Sequence, residues 1–302
     1  MERYPISMMN FMDMFPTEDA CLEYLRLIRW PEGYECQHCS SKDAWKMSSG
    51  LYRCQVCHYT GSIIAGTLFQ DSHKPLRLWF IAMWYVVNQK YGVSALGLQK
   101  ALNLGSYHTA WEWLQKLRRA MVRPNRDRLS GVIEVNETFI GGERTGRRGR
   151  GAEGKSLVLV AAEKVDNGNA IGRIRLSKIP DASAETLTQA IEQTVKPGST
   201  IYTDGWNGYS SLEKHGYAHQ PRCQQDIKLK DSIPDAHLVA SLLKRWLLGK
   251  HQGAVSHKHL PYYLDEFTFR FNRRTSKSRG KLFYRLVEQA IQIDPVPGKC
   301  LV

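Results

Sequence analysis

Four of the seven cysteines stand as two tight pairs, Cys36-Gln37-His38-Cys39 and Cys54-Gln55-Val56-Cys57, with fourteen residues between the pairs. Two such knuckles present four thiolates to one tetrahedral zinc, a closed shell that is structural rather than catalytic. His38 and His58 flank the thiols, but four sulfurs already fill the shell. Trp45, Leu51 and Tyr52 lie between the pairs, as in the short hairpins of a zinc ribbon. A module this small buries little apolar surface, so metal supplies much of its folding energy. Redox chemistry and disulfides are the alternatives. The odd total, with Cys21, Cys223 and Cys300 scattered, is not the pattern of a secreted disulfide framework. Asp204 marks a second centre, in Tyr202-Thr203-Asp204-Gly205-Trp206. It ends a run of strand character. Polynucleotidyl transfer needs carboxylates at strand ends to hold two divalent metals. A turn-forming Asp-Gly pair explains the same residues equally well.

The elements that must position these groups fall into three expected domains: 1–66 with the ribbon, 67–129 helical, and 130–302 mixed. In the second, Leu76, Trp79, Phe80, Met83, Trp84 and Val87 recur at steps of three and four, one face of a helix. Val93–Leu102 reads as a short helix, Asn103–Ser106 as a turn and Tyr107–Met121 as a longer helix. That is the pattern of a helix-turn-helix, with Lys116, Arg118 and Arg119 near phosphates at its basic end. An ordinary helical hairpin with Trp111, Trp113 and Leu114 in its core fits the same spacing. In the third, Gly131–Ile140, Ser156–Glu163 and Ala170–Leu176 read as strands, Ser183–Val195 as a helix and Ser199–Thr203 as a fourth strand. Asp166-Asn167-Gly168 is a hairpin turn, and residues 141–151 form a Gly/Arg loop. Three antiparallel strands, a helix and another strand is the order of a ribonuclease-H-like core, an α/β fold.

Composition narrows the partners. Lys plus Arg number 42 against 29 Asp plus Glu, a net charge of +13. Such a balance points to a polyanion, nucleic acid first and an anionic membrane surface second. The longest apolar run, Trp79–Val87, is far short of the ~20 residues of a membrane span, and no signal-peptide stretch opens the chain. A soluble cytoplasmic protein is expected.

Longer motifs add a family resemblance. Ile133-Glu134-Val135-Asn136-Glu137-Thr138-Phe139-Ile140-Gly141-Gly142, the Asp204 segment and Leu243-Lys244-Arg245-Trp246-Leu247-Leu248-Gly249 are similar to the core motifs of the ISXO2-like, zinc-ribbon DDE transposases of insertion sequences. So are Lys258-His259-Leu260, Tyr263-Leu264-Asp265-Glu266-Phe267 and Phe269-Arg270-Phe271-Asn272-Arg273-Arg274. The resemblance covers nearly the whole chain. It implies a ribonuclease-H-like catalytic core, two magnesium or manganese ions, and cleavage and strand transfer of DNA at terminal inverted repeats. The expected partners are transposon ends and target DNA, bound by at least a dimer in the bacterial nucleoid.

One position departs from the motif: Asn136 stands where the family has Asp. An amide oxygen can ligate a hard cation but brings no charge and cannot act as a base. The chain as written is therefore expected to be catalytically impaired. Alternation along a strand puts Glu134 on the Asn136 face and Glu137 on the other, so Glu134 is a partial substitute that starts ~7 Å away. For the third ligand the candidate is His237, seven residues and two helical turns before Lys244. Imidazole suits manganese better than magnesium. A helix-start histidine near Asp235 is the plain alternative for His237, and Glu266 is a rival third ligand. Lys244 and Arg245 would meet phosphate, as would Arg270, Arg273 and Arg274 in a stretch to Arg285 that holds no acidic residue. A DNA-binding regulator without catalysis is the runner-up function, and a nuclease of RNA–DNA hybrids the third.

Overall fold

The computed structural model describes residues 3–123, 125–141, 155–165, 169–222, 231–251 and 255–301. The Gly/Arg loop and the Asp166–Gly168 turn lie largely or wholly outside these residues. The chain forms two compact units, 1–124 together with 276–302, and 125–275.

In the first unit, α1 (Met8–Met14) and α2 (Glu18–Arg29) precede a three-stranded antiparallel ribbon of β1 (Ala44–Lys46), β2 (Tyr52–Cys54) and β3 (Thr60–Gly61). Next come α3 (Leu76–Asn88), α4 (Ala95–Leu102) and α5 (Tyr107–Ala120). The α2 residue Glu18 accepts from the N–H groups of Leu76 at 2.6 Å and Arg77 at 2.9 Å. Its carboxylate thus satisfies the first donors of α3, where Pro75 offers no side-chain cap. Ser94 and Ser106 cap α4 and α5, and Asn103 ends α4 in the left-handed region at φ 50°.

The last helix, α9 (Arg279–Gln292), belongs to this unit and not to the expected 130–302 domain. Its Phe283 is fully buried, with ring centroids 5.5 Å from Phe11, 5.5 Å from Phe80 and 6.0 Å from Trp84. Burying such a ring stabilises by several kcal/mol. That apolar face takes α9 back to the helices at the start of the chain. Residues 1–66 and 67–124 likewise share this aromatic core, through Phe11, Phe15 and Tyr24 against Phe80 and Trp84.

The second unit is a five-stranded sheet. Its strands are β4 (Val132–Ile140), β5 (Ser156–Val165), β6 (Ala170–Ile179), β7 (Thr200–Thr203) and β8 (Ala218–Pro221), in spatial order β6-β5-β4-β7-β8. The first three form an antiparallel meander, while β7 and β8 run parallel to β4. One face packs on α6 (Ala184–Thr194), the other on α7 (Pro234–His251) and α8 (Leu260–Asn272). Interior strand β5 is apolar on both faces: Leu157, Leu159 and Ala161 join the α6 core, and Val158, Val160 and Ala162 the α7–α8 core. Edge strand β6 is covered by Asn272 of α8, whose amide exchanges hydrogen bonds with Ile174 N–H at 2.7 Å and C=O at 3.1 Å. This strand order and the placement of the helices are those of a ribonuclease-H-like α/β fold.

Candidate zinc and catalytic centres

The ribbon brings the four paired cysteines together, with all four Sγ atoms within 4.8 Å of one another. Cys36 and Cys57 are 3.5 Å apart, as are Cys39 and Cys54. A disulfide would require about 2.05 Å, whereas four sulfurs around one zinc at about 2.3 Å sit about 3.8 Å apart. The donor set therefore fits zinc. Protonation supports the same reading. Desolvation opposes ionisation of Cys36, but the N–H groups of His38 and Cys39 and neighbouring thiols outweigh it and bring the thiol down to about 6. The Tyr59 N–H works to lower Cys57, yet the other three thiols help hold it up at about 12. Four thiolates this close need a shared cation to ionise together.

The catalytic candidates Asn136, Asp204 and His237 all belong to the second unit. The parallel β4–β7 ladder pairs Ile133 with Ile201 and Glu134 with Tyr202. Continued by two residues, that register sets Asn136 level with Asp204. Asn136 is half-buried on the α7 face, and Asp204 is exposed just beyond β7. One Asp204 oxygen accepts from Trp206 N–H at 3.1 Å, forming the turn that the Asp-Gly pair suggested. Glu137 lies on the opposite face, where Tyr209 donates to it at 2.6 Å.

Glu134 cannot stand in for an acid at 136. It is 0% exposed, and three donors occupy its carboxylate. Lys164 donates to Oε1 at 2.7 Å, and the first N–H groups of α7, from Asp235 and Ala236, donate to Oε2 at 2.7 and 3.0 Å. Lys164 also donates to Asp235 at 2.6 Å. Desolvation works against the ammonium, but the bonds to Asp235 and Glu134 outweigh it and raise the Lys164 pKa. Glu134 is thus the cap that seats α7 on β4. Glu134→Ala should cost about 2–4 kcal/mol, because it strands two buried N–H groups and half of the Lys164 pairing. Denaturant titration of the isolated variant measures this, and Glu134→Gln should recover part of the loss.

The cap fixes His237, the next residue along α7. Its Nδ1 lies 2.7 Å from Asp231 Oδ1, a partner that sequence reasoning missed. Asp231 stands six residues upstream, outside any helical spacing. A histidine held by a carboxylate at Nδ1 presents Nε2 as a ligand atom. Lys244 and Arg245 are exposed further along the same helix. Partial desolvation, with the charge of Lys155 beside it, lowers the Lys244 pKa. Glu266 is buried and paired with Arg270 at 2.9 Å, so it is not open to a metal.

Several of the basic residues expected at phosphates have partners within the protein. Arg118 is 2% exposed and donates to Gln115 at 3.2 Å. Arg119 donates to the Asp294 carbonyl at 3.4 Å, and Lys116 is half-buried. They share α5 with the buried Trp113, Leu114 and Leu117, so the end of that helix packs inside its unit. The exposed part of α5 is its start, Ser106, Tyr107 and His108. Arg270 is tied to Glu266, and Arg273 stacks over Phe269 at 4.3 Å. Arg274 stacks over Phe271 at 4.2 Å and donates to the carbonyls of Ile171 and Gly172, binding α8 to β6.

Known families match both the ribbon segment and the segment that holds the five-stranded sheet. A family model described as an ISXO2-like transposase domain matches residues 128–272, and one described as a transposase zinc-ribbon domain matches residues 16–60. An uncharacterized protein in transposable element ISH50 of Halobacterium salinarum is 29% identical over 88% of this chain and 94% of its own length. An uncharacterized transposase-like protein of Haemophilus influenzae is 24% identical over 37% of this chain and 92% of its own. The crystal structure of a pre-cleavage Mos1 transpososome is similar over 72% of this chain and 77% of its own at 13% identity. Its TM-score of 0.29 is too low for that likeness to carry weight. One family model falls on the cysteine ribbon and the other on the five-stranded unit: residues 16–60 are similar to a transposase zinc ribbon and residues 128–272 to an ISXO2-like transposase domain.

Proposed function

We propose that the chain is a DNA transposase that binds transposon ends and whose strand-transfer centre is built from Asn136, Asp204 and His237. The observation that carries this reading is the parallel β4–β7 register, whose continuation sets Asn136 level with Asp204 just past β7, with His237 at the start of the helix capped by Glu134. Magnesium or manganese, when bound, would supply positive charge at the attacking and leaving oxygens. Asp204 contributes the carboxylate, Asn136 a neutral amide oxygen and His237 its Nε2, oriented by Asp231. This donor set fits a pair of divalent ions incompletely, since only one of its three members carries charge. Lys155, Lys244 and Arg245 give the α7 side a positive potential suited to the DNA backbone. Cys36, Cys39, Cys54 and Cys57 hold the structural zinc, and the active form is a dimer or larger assembly on DNA.

End recognition falls to α4 and α5. Recognition helices of this type meet base edges with their N-terminal residues, so Ser106, Tyr107 and His108 replace the basic end of α5 as the contacts. The test is fluorescence anisotropy on duplexes carrying the inverted repeats that flank the gene. Tyr107→Ala with His108→Ala should weaken repeat binding by roughly tenfold or more, with little change on a scrambled duplex. Equal affinity of the unaltered chain for repeat and scrambled duplexes would remove the transposase reading. The second reading, a DNA-binding regulator without catalysis, is favoured by one observation, the amide at 136. It predicts specific end binding with no joining of ends by either the chain or its Asn136→Asp variant.

A further inference from the structure

Arg222 follows β8, and nothing in its sequence context marks it. Its N–H donates to the Thr203 carbonyl at 2.9 Å, which carries the β7–β8 ladder one residue past the Thr203–Pro221 pair. Arg222 therefore lies level with Asp204, which lies level with Asn136 on the other side. Continued in this way, the register puts the backbones of Asn136, Asp204 and Arg222 on one level across the sheet, the last two just past the ends of β7 and β8.

The Arg222 guanidinium stacks on Tyr202, its Cζ 3.6 Å from the ring centroid. Tyr202 is itself packed against the α7–α8 core, so the platform beneath the guanidinium is fixed. A face-on stack occupies the plane of the group and leaves its in-plane N–H donors directed outward. Arg222 makes no ion pair with a carboxylate among the described residues, whereas Arg270 is paired with Glu266 and Arg274 donates to carbonyls. A pre-oriented arginine fork beside the reacting position matches the two oxygens of a phosphodiester.

We propose that Arg222 is a phosphate-binding residue of the reaction centre, gripping the DNA backbone phosphate next to the end being joined. The proposal rests on the transposase reading and deepens it, because the phosphate is the one that Asp204 faces.

The test uses the full chain, without added magnesium or manganese, and repeat duplexes with a cleaved 3′ end. A series of these duplexes carries a single neutral methylphosphonate at each of the terminal phosphates. Arg222→Met, which keeps the apolar stem on Tyr202, should bind the unmodified duplex about tenfold more weakly. Its log–log salt slope should be smaller in magnitude by ~0.9. On one duplex of the series the unaltered chain and Arg222→Met should bind alike, because the partner phosphate is already neutral there. Arg222→Lys should recover part of the affinity and guards against a fold lost in the methionine variant. A penalty that is the same on every duplex, or no penalty on any, overturns the role of Arg222 while leaving the transposase reading intact. Failure of the unaltered chain to prefer the repeat overturns both.

Discussion

Removing zinc is expected to unfold residues 30–66 and to leave the five-stranded unit folded. The ribbon strands have three, three and two residues, too few for a stable sheet. Trp45, Met47 and Val56 are exposed, and Trp30, Tyr34 and Tyr52 form only a small aromatic cluster. Against that small core, zinc bound by thiolates in such modules contributes an apparent ~10–16 kcal/mol at neutral pH. Cys57→Ser should have the same effect as a chelator, because a hydroxyl is a poor replacement for a thiolate. Elemental analysis should find about one zinc per chain, and amide exchange in 30–66 should become fast on its removal. Protein free of zinc whose ribbon amides stay protected would contradict this.

The meander, the crossover helix and β7 are legible in the sequence because Val, Ile and Leu runs are bounded by Gly, Asn and Asp. The cysteine cluster is legible because spacing alone defines a tetrahedral site. The fate of α9 is not, since its apolar stripe would suit either unit, and only the rings of Phe11, Phe80 and Trp84 show which core it completes. Side-chain partners are equally hidden. Glu134 alternates correctly for a ligand, yet the donors that occupy it come from 30 and about 100 residues away. Arg118 reads as a surface charge until the turn of α5 buries it. Asp231 and Arg222 reach the site through loops and ladder register, which no short motif encodes.

Asn136→Asp is expected to raise the rate of strand transfer by at least roughly 10²–10³, equivalent to about 3–4 kcal/mol of transition-state stabilisation. Two divalent ions bring four positive charges, and Asp204 supplies one negative charge among the proposed ligands. Glu134, Lys164 and Asp235 together add one more nearby, but Glu134 is occupied by Lys164 and the α7 N–H groups, so its charge acts only at a distance. A carboxylate at 136 would double the ligand charge, which a neutral amide oxygen does not supply. Asp and Asn are nearly isosteric, and the Asn136 side chain makes no hydrogen bond to a described residue that the change would break. Folding and end binding should therefore be unaltered. Manganese should support the variant better than magnesium, because His237 remains an imidazole.

The central claim is that Asn136 and Asp204 mark one reaction centre. Joining of pre-cleaved repeat ends to target DNA, measured in manganese, tests it most directly when the Asn136→Asp chain is compared with the chain as written and with the Asn136→Asp, Asp204→Asn double variant. The account predicts joining by the first at least roughly 10²-fold faster than by either of the others, with end binding equal in all three. Joining by the chain as written at the rate of the Asn136→Asp variant, or by the double variant at that rate, would contradict it.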